Sequence, residues 1–377
     1  MPAYHDLASE WKASTTGPVY AIRAPRLLIL LLLGRCNNRC RFCMVDEQIE
    51  ASDDMPLETA RQLIEGEPAD TRIEFFGGEP TIYPHFYELF ELARARGHRC
   101  SIATNGRAFA SARFTARLAA LGAPETYVRT SLYGADAATH DYYTRVPRSF
   151  CQTVRGIEHL VQYGFPCQVN VVMMRRNLDS LGRVVDLVAG LGVARSGFGM
   201  LVDHDKNQEH AVRLAELRKP LQEAANRALR LGLRVTIEKA PLCAAPTLVS
   251  HFACERQIAP VERAYALDGP CGRCSVSRWC PGLDPGYLAR YGPQELQPLH
   301  KLPADQVRHI NPDALGAFEP EEFRIHFFAW NPINLQDREI LEQWVQLDIR
   351  IRERLGEMAL IPPELIEPGI GLTQKAR

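Results

Sequence analysis

The chain has 377 residues, of which 46% are hydrophobic and 24% are charged, as is typical of a globular protein with a large core. Its formal net charge of −1 gives no sign of a nucleic-acid partner or of an anionic membrane surface. The longest apolar run, Leu27 to Leu33, is much shorter than a bilayer span, and Met1 to Lys12 lacks a signal-peptide pattern. We therefore expect a cytoplasmic protein with no membrane partner, whose eleven cysteines are reduced and partly used as metal ligands.

Apolar runs and helical stripes alternate along the first two thirds of the chain. The runs predict strands at Arg26–Leu33, Arg72–Phe76, Cys100–Ala103, Tyr127–Leu132, Cys167–Met173, Arg195–Leu201 and Arg234–Ile237. The stripes predict helices at Leu57–Glu65, Tyr83–Arg96, Phe114–Leu121, Ala137–Thr144, Thr153–Tyr163, Leu178–Leu191 and Glu209–Leu231. This alternation is typical of βαβ units, which would curl a parallel sheet into a partial barrel or wind it into an open sheet.

After Lys239 the alternation stops, and Pro, Cys and Gly become frequent. Further along, one clear helical pattern appears at Leu335–Leu355. The composition therefore predicts four segments: a leader at 1–25, the αβ core at 26–238, a cysteine-rich region at 239–299 and a mainly helical tail at 300–377.

Three cysteines, Cys36, Cys40 and Cys43, follow the first predicted strand in a C-x3-C-x2-C spacing. Three thiolates so close in sequence can hold one face of a [4Fe–4S] cube and leave the fourth iron open to another ligand. The same spacing also suits a zinc site whose fourth ligand lies elsewhere.

Further candidate residues lie at the ends of the following strands. The turns are Gly77-Gly78-Glu79-Pro80 after the second strand and Thr104-Asn105-Gly106 after the third, and Ser131 ends the fourth. Ligands of parallel αβ folds gather at the carboxyl ends of the strands, so one rim is expected to carry all of these residues.

The cysteine loop, with Phe42 as the aromatic residue before its last cysteine, and the Gly-Gly-Glu-Pro turn together resemble the radical S-adenosylmethionine (SAM) superfamily. The resemblance spans roughly Leu27 to Leu201 and implies a partial (β/α)6 TIM-like barrel, an α/β fold. It also implies a SAM-binding [4Fe–4S] cluster held by Cys36, Cys40 and Cys43, and an external electron donor of the flavodoxin or ferredoxin type.

The resemblance further implies that SAM is cleaved to a 5′-deoxyadenosyl radical, which abstracts a hydrogen from the substrate. Nine residues match positions that bind the cofactor in such enzymes, and they lie in the cysteine loop, at the ends of strands or within strands. They are Phe42, Gly77, Gly78, Glu79, Thr104, Asn105, Ser131, Asn170 and Phe198. Each has an ordinary structural alternative, such as turn formation or the relief of crowding.

A second group of cysteines, Cys271, Cys274 and Cys280 in a C-x2-C-x5-C spacing, is preceded by Cys243. This region resembles the SPASM or twitch extension of radical SAM enzymes, which implies one auxiliary [4Fe–4S] cluster. Zinc is the alternative, and Cys254 competes with Cys243 as the fourth ligand.

The leading functional hypothesis is an enzyme that oxidises or cross-links a peptide or a small molecule with the help of the auxiliary cluster. One alternative keeps SAM cleavage but gives a redox-neutral rearrangement or epimerisation. The other is a metal-binding regulator or scaffold with structural zinc. The sequence identifies no catalytic side chain.

Overall fold

Eight strands form one sheet in the part of the chain that the structure describes. The computed structural model describes residues 21–24, 27–43, 54–69, 71–201, 205–252, 269–274, 280 and 282–300. The strands are β1 (Ala21–Ala24), β2 (Leu27–Leu31), β3 (Arg72–Phe76), β4 (Cys100–Ala103), β5 (Thr126–Ser131), β6 (Cys167–Met173), β7 (Arg195–Met200) and β8 (Arg234–Glu238). They are ordered β1 to β8, with β1 antiparallel to β2 and the other neighbours parallel.

Helices connect the parallel strands. They are α1 (Leu57–Glu65), α2 (Phe86–Ala95), α3 (Ala112–Ala119), α4 (Ala137–Thr144), α5 (Ser149–Gln162), α6 (Leu181–Gly190) and α7 (Leu214–Arg230), and α8 (Pro285–Tyr291) follows the sheet. The α/β fold and the open, partial TIM-like barrel predicted from the sequence are confirmed. No helix among the described residues combines the length and the apolar character that a bilayer crossing needs.

Local differences from the predicted elements have identifiable causes. Strand β1 lies within the predicted leader and pairs with β2. It was not predicted, because a segment of four residues is too short to show a periodic pattern. Helix α5 begins at Ser149 rather than Thr153, since the carboxylate of Asp141 accepts hydrogen bonds from the backbone N–H groups of Arg148 and Phe150. The predicted helix at Leu335–Leu355 lies outside the described residues, and the four predicted segments remain predictions.

The side of the sheet that faces the helices is apolar. Around β3, the rings of Phe75, Phe86 and Phe90 pack with centroids 5.4 to 6.1 Å apart. Around β6 and β7, Val171 and Phe198 pack against the apolar faces of α6 and α7. Because successive strand residues point to opposite sides, this core fixes which residues face the inside of the barrel.

The concave face of the sheet is polar. Arg129 on β5 forms an ion pair with Glu74 on β3, and the Ser101 hydroxyl donates to the same carboxylate at 3.3 Å. On β5 and β6, the Tyr127 hydroxyl donates to Gln168 Oε1 at 2.8 Å. A buried ion pair contributes little net stability, because both partners lose their hydration. This face is therefore a buried, hydrogen-bonded polar layer rather than a second apolar core.

Candidate active site and cysteine groups

The cysteine loop follows β2, and its three thiols lie within electrostatic range of one another. The thiols of Cys43 and Cys36 both add to the effect of burial, which raises the pKa of Cys40. Burial also raises the pKa of Cys36 to about 11, although the N–H of Asn38 donates to its sulfur at 3.3 Å. Burial and the neighbouring thiols thus favour the neutral thiol in the metal-free protein, and a bound cation would favour the thiolate.

The cysteine loop can be compared with the needs of a single zinc ion and of a [4Fe–4S] cube. Among the described residues, no three His, Cys, Asp or Glu side chains converge closely enough to hold a metal ion. A single zinc ion draws its sulfur ligands to about 2.3 Å from one point. A [4Fe–4S] cube gives each thiolate an iron of its own and so accepts a wider spacing. Three thiols on one short loop are therefore compatible with three of the four irons of such a cube.

Gly77 and Gly78 bring the turn after β3 against the start of the cysteine loop. The N–H of Gly78 donates to the carbonyl of Leu33 at 2.7 Å, and the N–H of Glu79 donates to the carbonyl of Arg35 at 3.0 Å. A Cβ on Gly77 would lie 2.4 Å from the Leu33 oxygen, and one on Gly78 would lie 2.1 Å from the Arg35 oxygen. Both glycines are therefore required for the close approach of two backbones.

Replacing Gly78 with alanine should displace the cysteine loop, because a backbone oxygen cannot move aside as a side-chain end can. We expect the free energy of unfolding of the metal-free protein to fall by about 2–3 kcal/mol, together with a lower iron content after reconstitution. Chemical denaturation and iron analysis measure the two effects. Gly190→Ala is the matched control, since a Cβ there meets nothing within 4 Å; an equal loss in both variants would contradict the prediction.

The Glu79 side chain forms a brace, a set of hydrogen bonds that connects the turns after β3 and β4. This side chain is fully buried. It accepts hydrogen bonds from the Thr81 hydroxyl (2.5 Å), the Thr104 hydroxyl (2.6 Å), the Thr81 N–H (3.2 Å) and the Asn105 N–H (2.7 Å). Burial raises the pKa of Glu79, and these hydrogen bonds oppose that effect. The carboxylate thus ties the Gly-Gly-Glu-Pro turn to the Thr-Asn-Gly turn.

Asn105 extends this connection to the cysteine loop. Its side-chain amide donates to the Cys36 sulfur at 3.7 Å and to Asn37 Oδ1 at 2.5 Å. Arg107 holds the same loop through the Asn37 carbonyl and through Asn38 Oδ1 at 2.9 Å. Sequence reasoning missed Arg107, since an arginine two residues after a turn normally indicates nothing more than solvent exposure.

An aromatic group covers the other side of the cysteine loop. The buried ring of Phe42 meets Tyr133 and Tyr143 edge to face, with centroids 4.9 and 5.8 Å apart. Tyr133 shares a hydrogen bond with Ser131, and burial and the thiols of the loop raise its pKa well above the usual value. Sequence reasoning missed Tyr133, although it stands two residues after Ser131 at the same strand end.

Ser131, Asn170 and Phe198 lie on neighbouring strands but do not share one face. Ser131 and Asn170 are paired across β5 and β6, and Asn170 is paired with Gly197 on β7. A Cβ on Gly197 would lie 2.3 Å from Asn170 Oδ1, so this glycine makes room for the amide on the concave face. Phe198 points the other way and is fully buried in the core beneath the helices. The structure therefore does not bring the Phe198 side chain to the other candidate residues.

The second cysteine group forms beyond β8, where Cys243, Cys271, Cys274 and Cys280 come together. The thiols of Cys243 and Cys271 add to the burial that raises the pKa of Cys280 to about 12, and Cys274 acts in the same way on Cys243. Backbone N–H groups donate to Cys280 from Leu242 (3.3 Å) and Gly282 (3.4 Å), and to Cys274 from Leu299 (3.3 Å). Cys254 lies outside the described residues.

Other described residues near the second cysteine group contact α7. Tyr287 accepts a hydrogen bond from the N–H of Leu214 at 2.7 Å and donates to the Glu295 carboxylate at 2.6 Å. Arg218 on α7 donates to the carbonyl of Cys243 at 3.1 Å and also to the carbonyl of Glu295. The second cysteine group is therefore fixed to the barrel at the carboxyl end of its last strand.

Comparison with known proteins identifies the family. The profile of the Radical SAM superfamily matches residues 30–188, which include the end of β2, the cysteine loop, the glycine turn and strands β3 to β6. Residues 30–188 therefore form a radical SAM domain. The superfamily and the enzyme class predicted from the sequence are confirmed.

Relatives of the chain include one enzyme named for a small molecule and one named for a peptide. The chain is 29% identical over 192 residues to an AdoMet-dependent heme synthase from Methanosarcina barkeri, a match that covers 49% of this chain and 53% of the relative. It is 30% identical over 185 residues to a PqqA peptide cyclase from Streptomyces rochei, covering 46% and 48%. The chain thus matches about half the length of these curated relatives.

Among solved structures, the chain is similar to Streptococcus suis SuiB bound to the precursor peptide SuiA. The TM-score is 0.50 with 16% sequence identity, and the alignment covers 65% of this chain and 55% of that one. At this identity the likeness concerns the fold. It agrees with the open α/β barrel described above.

Proposed function

We propose that this radical SAM protein cleaves SAM reductively and uses the resulting radical to oxidise or cross-link a peptide or a small molecule, with an auxiliary [4Fe–4S] cluster in the second cysteine group. The single observation that carries the proposal is the placement of the cysteine loop. It lies between the Glu79 brace and the Tyr133 ring, at the mouth of a polar concave face. The relatives named above support both substrate classes.

In this proposal Cys36, Cys40 and Cys43 hold the SAM-binding cluster, which supplies the electron that breaks a C–S bond of SAM. The side chains around the cluster would then hold the cysteine loop and the neighbouring turns in position. Glu79 fixes the two turns, Asn105 donates to one ligand sulfur, and Phe42 closes the loop against Tyr133. Ser131 and Asn170 on the concave face offer polar atoms to the cofactor's ribose.

The auxiliary cluster would be held by Cys243, Cys271, Cys274 and Cys280. Four thiolates and the N–H donors to Cys280 and Cys274 suit a cluster with no open iron. Such a cluster can accept the electron that an oxidised substrate radical loses. An auxiliary cluster of this kind would favour oxidation or cross-linking over the redox-neutral rearrangement. Four thiolates suit a tetrahedral zinc equally well, and iron and zinc analysis of the protein decides between the two metals.

Anaerobically reconstituted protein, mixed with SAM and dithionite, is expected to release 5′-deoxyadenosine. Chromatography quantifies the product, and Cys40→Ala, which removes one of the three proposed ligands, should release none. Wild-type protein that has a full first cluster and still forms no 5′-deoxyadenosine, with or without substrate, would refute the enzyme reaction. With a substrate in hand, a product that has lost two hydrogens supports oxidation, whereas an unchanged mass supports rearrangement.

A further inference from the structure

Two amide groups direct N–H donors at the sulfur of Cys36. One is the side-chain amide of Asn105, whose Nδ2 donates to this sulfur at 3.7 Å. The other is the peptide group between Asn37 and Asn38, whose N–H donates to it at 3.3 Å. Hydrogen bonds to a ligand sulfur are among the features that set the reduction potential of an iron–sulfur cluster. Both amides therefore bear on the cluster that Cys36 is proposed to hold.

Arg107 contacts the oxygen end of both amides. Its guanidinium Nη1 donates to the carbonyl of Asn37, which belongs to the same peptide group as the Asn38 N–H. Its backbone N–H donates to Asn105 Oδ1 at 3.0 Å. Each amide thus lies in a chain of two hydrogen bonds that begins at Arg107 and ends at the Cys36 sulfur.

The two hydrogen-bond chains act on the sulfur in the same direction. A donor at the oxygen of an amide makes the N–H of that amide a stronger donor, because hydrogen bonds in a chain polarise one another. The effect is larger on the peptide group after Asn37, since the donor to its oxygen is a cation. We therefore expect Arg107 to withdraw electron density from the Cys36 sulfur.

Further contacts of the Arg107 guanidinium keep it in place. Nη1 also donates to Oδ1 of Asn38, a buried side chain, at 2.9 Å. Nε donates to Oε1 of Gln152 on α5 at 2.6 Å. The cation is therefore held between α5 and the spacer that separates the first two cysteines of the loop.

The orientation of the Asn105 amide is fixed as well. The backbone N–H of Asn105 donates to the buried Glu79 carboxylate at 2.7 Å. Because Oδ1 accepts from the Arg107 N–H, Nδ2 faces the Cys36 sulfur and Asn37 Oδ1. The donor to the sulfur is thus positioned by contacts that do not involve the sulfur itself.

We propose that Arg107 is a positioning residue that raises the reduction potential of the SAM-binding cluster by acting through these two amides on the Cys36 sulfur. This inference rests on the proposed function, in which Cys36, Cys40 and Cys43 hold that cluster. Reduction adds one electron, and with it one negative charge, to the irons and their sulfur ligands. A nearby cation and strong N–H donors at a ligand sulfur stabilise the added charge.

Potentiometric titration of the reconstituted protein, followed by electron paramagnetic resonance, tests the proposal. The signal of the SAM-binding cluster is the one that Cys40→Ala lacks. In Arg107→Met and in Asn105→Ala the equilibrium constant for reduction should fall about tenfold, which corresponds to about 59 mV for one electron. Arg107→Lys keeps a cation at this position and should show a smaller fall than Arg107→Met.

Gln152→Ala is the matched control. Gln152 is exposed on α5 and contacts the same guanidinium, but its loss leaves both hydrogen-bond chains to Cys36 in place. Its potential should equal that of the wild type. An unchanged potential in Arg107→Met and Asn105→Ala would overturn the proposal. An equal fall in Gln152→Ala would overturn it too, since a general loosening of the loop would then explain the data.

Iron content separates this role from a merely structural one. Variants that bind less iron, but whose remaining cluster keeps the wild-type potential, would overturn the proposal in favour of residues that only hold the loop. If Arg107→Met assembles no cluster, Asn105→Ala decides by the same criterion: a lowered potential supports the proposal and an unchanged one overturns it.

The titration contains no SAM, so its result is independent of SAM cleavage. A lowered potential in the variants supports the role of Arg107 even if the wild type releases no 5′-deoxyadenosine. An unchanged potential overturns that role even if SAM is cleaved. A wild type without an iron–sulfur signal from the cysteine loop would overturn the cluster assignment itself, and with it the role of Arg107.

Discussion

Replacing Glu79 with alanine is expected to remove both the SAM-binding cluster and SAM cleavage. The substitution leaves the hydroxyl groups of Thr81 and Thr104 and the N–H of Asn105 without their acceptor in a fully buried position. A buried donor without a partner costs about 1–3 kcal/mol, so the loss should reach at least 3 kcal/mol. Asn105, released from Glu79, would no longer hold its amide against Cys36.

Three measurements on Glu79→Ala follow from this geometry: the free energy of unfolding, the iron content per chain and the yield of 5′-deoxyadenosine. Glu79→Gln keeps the shape and one acceptor oxygen but turns an N–H₂ group towards the remaining donors, so its effects should be intermediate. Glu91→Ala, on the exposed side of α2, is the matched control and should behave as wild type. A Glu79→Ala protein that keeps wild-type iron and activity would show that the brace has no part in holding the cluster.

Changing Cys271, Cys274 and Cys280 to alanine together is expected to halve the iron content. Reconstituted wild type should bind about eight irons per chain, as two four-iron cubes, and the triple variant about four. The first cluster lies at the other group of cysteines, so the triple variant should still release 5′-deoxyadenosine. Formation of the oxidised product should stop, because the substrate radical has lost its electron acceptor.

Iron and sulfide analysis and electron paramagnetic resonance measure this result. Cys151→Ala serves as the control, since this cysteine is exposed on α5 and belongs to neither group. Zinc in the wild type together with only four irons would exclude an auxiliary iron–sulfur cluster. Comparing Cys243→Ala with Cys254→Ala identifies the fourth ligand. Because Cys243 lies within electrostatic range of Cys274 and Cys280, we expect only Cys243→Ala to lose iron.

Much of the rim was predictable because parallel αβ folds place strand ends together. The sequence located β2 to β8 and, from them, the common edge that carries the cysteine loop, the Gly-Gly-Glu-Pro turn and Asn105. It left β1 out and began α5 four residues late, at Thr153, because pairing with β2 and capping by Asp141 are contacts between separate segments.

What the sequence by itself determined was the succession of strands and helices along the chain, the superfamily and the position of the three cysteines after the first parallel strand. The period of hydrophobic residues and the spacing of a motif depend only on residues that are close in sequence, so both can be recognised without the structure. Only the tertiary structure decided how the site is held. It assigned Gly78 to a close contact between backbones, made Glu79 the acceptor for three residues, turned Phe198 into the core and placed the guanidinium groups of Arg41 and Arg176 over the Tyr142 ring. Each of these contacts joins segments that are far apart in the sequence, and the spacing of residues along the chain does not show which segments meet in space.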